Sequence, residues 1–165
     1  MFHWIETLFN KRMPLIPRTD NFQRAIKFIL AREGGYVVDN AGPTKYGISQ
    51  KNHPTLTTQE IKDLTPQEAS KIYYSDYWEK AGCNYYQWPL CLVVFDGAVN
   101  EGIGGIHKLV EQLKEDTPLQ MANQLINLRE QAYREIVKNN PKDEVYLQGW
   151  LNRLELLRKQ IIQGA

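Results

Sequence analysis

The segment Phe22-Gln23-Arg24-Ala25-Ile26-Lys27-Phe28-Ile29-Leu30-Ala31-Arg32-Glu33-Gly34-Gly35-Tyr36, within residues 21–49, reads as a helix followed at once by its stop. Phe22, Ala25, Ile26, Ile29 and Leu30 recur at the i, i+3, i+4, i+7, i+8 spacing of an amphipathic helix. Thr19, Asp20 and Asn21 are all good N-cap residues. The Gly34-Gly35 pair predicts the end, because glycine reaches the left-handed geometry that terminates helices. Continuing the period puts Phe22, Ile26, Ile29 and Glu33 on one stripe, so the Glu33 carboxylate falls on the face a folded chain buries. A lone carboxylate there is poorly solvated, which disfavours its charged form. At the edge of a cleft that environment makes a glutamate a general acid near neutral pH. The competing reading is a frayed glutamate facing solvent, or one tied to a nearby Arg or Lys.

The residues that follow, Tyr36-Val37-Val38-Asp39-Asn40-Ala41-Gly42-Pro43-Thr44-Lys45-Tyr46-Gly47-Ile48-Ser49, read as strand, turn, strand. Asn-Ala-Gly-Pro is turn chemistry, and the flanking Tyr, Val, Thr and Ile favour extended backbone. A helix ending in an acid, followed by a small hairpin carrying Asp39 and Thr44, can gather several polar groups around one sugar-binding position.

Glu33-Gly34-Gly35-Tyr36 followed by Gly42-Pro43-Thr44-Lys45-Tyr46-Gly47-Ile48-Ser49 resembles the signature of glycoside hydrolase family 108. That family comprises N-acetylmuramidases of the lysozyme-like superfamily, found as phage endolysins and as secretion-associated or autolytic muramidases. The likeness continues through residues 69–78, 94–102 and 149–153, and so spans about Phe22 to Leu157 in a consistent order. Two departures stand out. The loop between Glu-Gly-Gly-Tyr and Thr44 is about three residues shorter than usual, so Asp39 matches the family's acid counted from either side of the gap. Glu101 stands before Gly102 where a small or neutral residue is more usual.

The resemblance implies a mainly α, lysozyme-like orthogonal helical fold with a small β-hairpin beside the active-site cleft. It also implies a peptidoglycan hydrolase that cuts the β-1,4 bond between N-acetylmuramic acid and N-acetylglucosamine without a cofactor. Glu33 would protonate the leaving oxygen, with Asp39 or a water held by Thr44 supplying the other half of the reaction. Tyr36, Tyr46, Asp96 and Asn100 are further candidates for positioning substrate. A non-catalytic glycan-binding or secretion-accessory protein on the same scaffold is the alternative.

At 165 residues one domain is expected, with a catalytic lobe over 20–105 and a C-terminal helical lobe over 106–165 resembling a peptidoglycan-binding region. The net charge of +1, with acids and bases mixed along both halves, argues against a nucleic-acid binder that relies on a basic face. Cys83 and Cys91 fit neither a disulfide framework nor a zinc site, and read as reduced thiols. His3, His53 and His107 lack ligand spacing, so no metal is expected. No stretch is long and apolar enough to span a membrane.

Residues 1–12 do not read as a signal peptide but as a short amphipathic helix packing on the domain, or as a membrane-surface or partner contact through Phe2, Trp4, Ile5, Leu8 and Phe9. The protein would therefore be made in the cytoplasm, act on the cell wall after release or export through a holin or secretion system, and work as a monomer.

Capping boxes are expected at Thr57–Glu60 and Thr65–Glu68. Residues 65–88 form the densest aromatic region, fit for core packing or for stacking on sugars. Residues 89–100 are apolar nearly all round and predict a central helix. Asp96 and Asn100 interrupt it on one face, either tethering neighbouring backbone or lining the cleft. Gly97 permits close approach of a helix or a ligand. Helices are predicted from Ile106 to Leu113, from Pro118 with Leu125, Ile126, Arg129 and Tyr133 on one stripe, and after Pro141 through Leu147, Trp150, Leu154 and Ile161.

Overall fold

The helix that is apolar on every side has to sit where every side meets protein. In the computed structural model, which describes residues 19–39 and 42–163 with Thr19 and Asp39 through their backbone only, that helix spans Leu90–Glu101 and is buried continuously from Leu90 to Ala98. We number the helices in chain order among the described residues: α1 Thr19–Leu30, α2 Thr58–Asp63, α3 Pro66–Tyr73, α4 Leu90–Glu101, α5 Ile103–Val110, α6 Pro118–Asn139 and α7 Glu144–Gln163. Three short strands, β1 Val37–Asp39, β2 Gly42–Lys45 and β3 Ile48–Ser49, lie between α1 and α2. The N-terminal segment 1–18, read from sequence as an amphipathic helix, lies outside the described residues.

The apolar stripe of α1 packs against α4 through an aromatic cluster. Phe22 sits 5.9 Å from Phe95 and 5.3 Å from Trp78, and Trp78 meets Phe95 edge-on at 5.2 Å. The cluster decides between the two readings of the aromatic region for two of its members. Trp78 and Tyr73 are core residues, and the Trp78 indole N–H donates to Asn84 Oδ1 at 2.8 Å. Both capping boxes form as expected, each threonine accepting from the backbone N–H three residues on while the glutamate carboxylate accepts from the threonine N–H. α3 runs on into a π-helical turn, Tyr74–Trp78, which carries Trp78 into the core.

Two local expectations are corrected. α1 ends at Leu30, and neither Gly34 nor Gly35 adopts left-handed backbone. The hairpin is a three-stranded antiparallel sheet in the order β1-β2-β3, with Val37 opposite Thr44 and Thr44 opposite Ser49. A second reversal makes the third strand. Tyr46 at φ +51 and Gly47 at φ +72 place two successive residues on the left-handed side, the geometry of a tight type I′ hairpin turn. Tyrosine seldom takes that conformation, so the turn leaves little trace in the sequence.

α6 and α7 run antiparallel. Tyr133 stacks on Trp150 at 5.0 Å, while Arg158 reaches Asn127 and Glu130 further back along α6. One connected set of buried apolar residues extends from Phe22 through α4 to Ile161. α5 crosses α4 where Gly97 leaves no side chain. A Cβ there would lie 2.7 Å from Ile106 Cγ1, so the glycine serves helix approach rather than a ligand. Gly97→Ala is expected to cost about 1–3 kcal/mol in urea denaturation through overpacking. Combining it with Ile106→Val should cost less than the sum of the two single changes, because the valine removes Cδ1, the atom of Ile106 that a Cβ at position 97 would meet first.

Candidate active site

Glu33 lies three residues beyond the end of α1, yet its backbone N–H still donates to Ile29 O at 3.2 Å, so it keeps the stripe of the helix. Its side chain is 19% exposed. The β2–β3 turn is pressed against the carboxylate. A Cβ on Gly47 would stand 2.6 Å from Glu33 Oε2 and 2.5 Å from the Tyr73 hydroxyl, and φ +72 independently requires glycine there. Two hydrogen bonds clamp the turn: Tyr46 N–H donates to Gly34 O at 3.0 Å, and the Tyr73 hydroxyl donates to Tyr46 O at 2.9 Å. Burial pushes the Tyr73 hydroxyl well above the ordinary tyrosine range, with the Glu33 charge acting the same way. Burial, then Asp76 and Glu33, raise Tyr77 likewise. Both phenols therefore stay protonated beside the carboxylate.

The expectation of a lone carboxylate is corrected. Arg153 Nη1 approaches Glu33 Oε1 at 3.4 Å, from α7 and 120 residues along the chain. Arg153 is anchored more tightly elsewhere, since its Nε donates to Asp96 Oδ1 at 2.8 Å. Arg129 Nη2 holds the other Asp96 oxygen at 2.8 Å, and Arg129 Nε donates to Glu101 Oε1 at 2.6 Å. The Tyr133 hydroxyl donates to that same Glu101 oxygen. Opposite charges thus alternate from Glu33 through Arg153, Asp96 and Arg129 to Glu101.

Arg129 and Asp96 are both fully buried. Burial works against the charge on Arg129, but Asp96 and then Glu101 more than offset it and hold its pKa above the usual arginine value. The same balance applies to Arg153, where burial is opposed chiefly by Asp96 and further by Glu33.

This burial corrects the role considered for Asp96. With no exposed surface and both oxygens taken by arginines, it cannot touch a sugar, and it acts as the anchor beneath Glu33. Asn100 is exposed, and its side-chain amide donates to Asp96 O at 2.7 Å, the tethering alternative. Tyr36 and Thr44 are half-buried, Thr44 in the middle strand two residues from the clamped turn. Tyr46, also half-buried, has the Lys45 ammonium 5.4 Å from its ring centre. Asp39 closes β1 opposite Gly42, and its side chain lies outside the described residues.

Cys83 and Cys91 are both fully buried, and among the described residues no cluster of His, Cys, Asp or Glu could hold a metal ion. No described helix is long and apolar enough to cross a membrane.

Sequence reasoning gave no role to Arg153 or Arg129, although each left a signal. Both occupy core-facing stripes, Arg129 between Leu125, Ile126 and Tyr133, and Arg153 beside Trp150 and Leu154. An arginine on a buried stripe demands a carboxylate partner.

The chain matches the family model described as Glycosyl hydrolase 108 over residues 26–102, which includes Glu33, the sheet, Asp96 and Glu101. It shares its fold with the solved structure of Brucella abortus SagA at a TM-score of 0.69 and 21% sequence identity, covering 87% of this chain and 95% of that one. No curated protein sequence is significantly similar to the chain.

Asp96→Asn removes the charge shared by two arginines and leaves both short of a partner. It is expected to destabilise the fold by about 3–5 kcal/mol in chemical denaturation. Asn100→Ala, at an exposed position, should stay within about 0.5 kcal/mol of the parent.

Proposed function

We propose that the protein, whose residues 26–102 match the Glycosyl hydrolase 108 family model, is a peptidoglycan hydrolase of the N-acetylmuramidase type, cutting the β-1,4 bond between N-acetylmuramic acid and N-acetylglucosamine. The observation that carries this reading is the setting of Glu33. Its carboxyl group is partly open to solvent at the seam between α1 and the sheet, with two neutral phenols and a glycine turn around it. A carboxyl fixed in that way can deliver a proton to a glycosidic oxygen as positive charge develops on the sugar ring. Asp39, or a water held by Thr44, provides the attacking group from the sheet side. Tyr46, in the turn pressed against Glu33, and the half-buried Tyr36 help to seat the glycan strand. The enzyme reaches its polymeric substrate at the cell wall, after release or export.

One observation favours the rival reading of a non-catalytic glycan-binding scaffold: Arg153 at 3.4 Å from Glu33, which a resting ion pair would also produce. The two readings separate on a single variant. Glu33→Gln keeps the shape and removes the transferable proton, so clearing of a peptidoglycan suspension should fall by about 100- to 10,000-fold. Clearing by the variant at the parent rate would remove Glu33 from the chemistry. Mass spectrometry of the fragments released by the parent protein should find muramic acid at the new reducing ends, and glucosamine there would reassign the bond.

A further inference from the structure

A hollow between α1 and α7 gathers cations without an acid. It measures about 300 Å³ and is lined by Arg24, Lys27, Phe28, Ala31 and Arg32 from α1 and the turn after it, and by Gln160 from α7. Three of these six residues are basic and none is acidic, although the whole chain carries a net charge of only +1. Arg153 and Gln160 stand two turns apart on one stripe of α7, so the helix that meets Glu33 through Arg153 also closes this hollow.

Arg32 is fixed within it. Its guanidinium lies 3.4 Å from the centre of the Phe28 ring, and its Nη1 donates to Phe28 O at 2.6 Å. The buried Nε has no hydrogen-bond partner in the protein. Burial, and then the neighbouring Arg153 charge, lower the Arg32 pKa from the usual arginine value. Asp96 opposes them, but both its oxygens are already held by Arg129 and Arg153. A guanidinium in that setting gains from an anion brought to it. Lys27 is exposed on the same wall, and Arg24 stacks over the Trp88 ring at 3.8 Å.

We propose that this hollow is a carboxylate-binding subsite for the peptide side chains that muramic acid carries along a peptidoglycan strand, with Arg32 and Lys27 as its charged ligands. The inference rests on the peptidoglycan reading above and adds a second point of attachment to it. Stem peptides repeat along the polymer and present free carboxylates, the group a planar guanidinium grips side-on through two parallel hydrogen bonds. With Nη1 committed to Phe28 O, a carboxylate on the Nε edge supplies the bond that Nε lacks. Lys27 adds a point charge and Gln160 a neutral amide from the facing helix. The Phe28 ring keeps the guanidinium in place before a ligand arrives, so little side-chain freedom is lost on binding. Arg32 directly precedes Glu33, and a strand tethered here is held at high effective concentration near the acid.

The test is a titration of 15N-labelled protein with N-acetylmuramyl-L-alanyl-D-glutamate, whose glutamate carboxylates are free, and with its diamide, which has none. Read at the backbone amides of Lys27, Phe28, Ala31, Arg32 and Gln160, the acid is expected to bind about tenfold more tightly than the diamide. Arg32→Gln should weaken binding of the acid by about tenfold. Lys27→Gln, at an exposed position that leaves the packing alone, should weaken it about two- to fivefold, and high salt should shrink the difference. Equal affinity for acid and diamide, shifts confined to other surfaces, or undiminished binding in both variants would overturn the proposal. Inorganic phosphate is the rival probe. If it binds these amides as tightly as the muramyl peptide, the site serves phosphate-bearing polymers and the stem-peptide assignment falls. Binding is read without any bond being cut, so the two ideas fail separately. A protein that shows this titration but never clears peptidoglycan loses the hydrolase reading and keeps the subsite, whereas one that clears it without the titration loses the subsite alone.

Discussion

Asp96 in the grip of two arginines is the constraint on which the rest of the structure depends. Its helix is apolar on every side from Leu90 to Ala98 apart from Asp96 itself, so a buried carboxylate there is tolerable only if both oxygens are paired. Arg129 from α6 and Arg153 from α7 supply those partners at 2.8 Å each. The pairing brings the C-terminal helices against the central one in a single register, because a slip of either would strand a buried charge. Pairs of this kind add little net stability over an apolar core, but they penalise every alternative arrangement. Their contribution lies in fixing where the second half of the chain docks.

That docking gives Glu33 its surroundings. The acid is held from one side by the helix stripe that carries it, from a second by the Tyr46–Gly47 turn, and from a third by Arg153. Each contact comes from a different part of the chain, and each restricts a different motion. The turn blocks the space a side chain would fill, Tyr73 locks the turn by its backbone carbonyl, and Arg153 limits rotation of the carboxylate. Preorganisation of this sort makes a carboxyl group useful for proton transfer, since little reorientation remains once a substrate is seated. The cooperation of residues within 26–102 with Arg129 and Arg153 beyond them makes the C-terminal helices part of the site's physics.

Much of the architecture was legible in the linear chain. The stripe of α1, the two threonine capping boxes, the central helix and the proline that divides α6 from α7 all rest on interactions between residues three or four apart, or on the fixed geometry of single residues. The position of Glu33 on a buried stripe followed from the same periodicity. The sheet was read less well. Its second turn depends on a tyrosine in left-handed backbone, a conformation that local preference opposes and that the bond from Tyr73 to Tyr46 O supports from outside the segment.

What the sequence by itself determined is therefore the set of elements and the acid they present. Helix starts, helix faces and the core helix are matters of short-range hydrogen bonding and period. Only the tertiary structure decided the partners of that acid. Arg153 meets Glu33 across 120 residues, and Asp96 proved to be an anchor rather than a lining residue because α6 and α7 cover it. The physical reason is that an ion pair between distant segments leaves no repeating pattern along the chain. Its two halves look like isolated charges on apolar faces until folding brings them together.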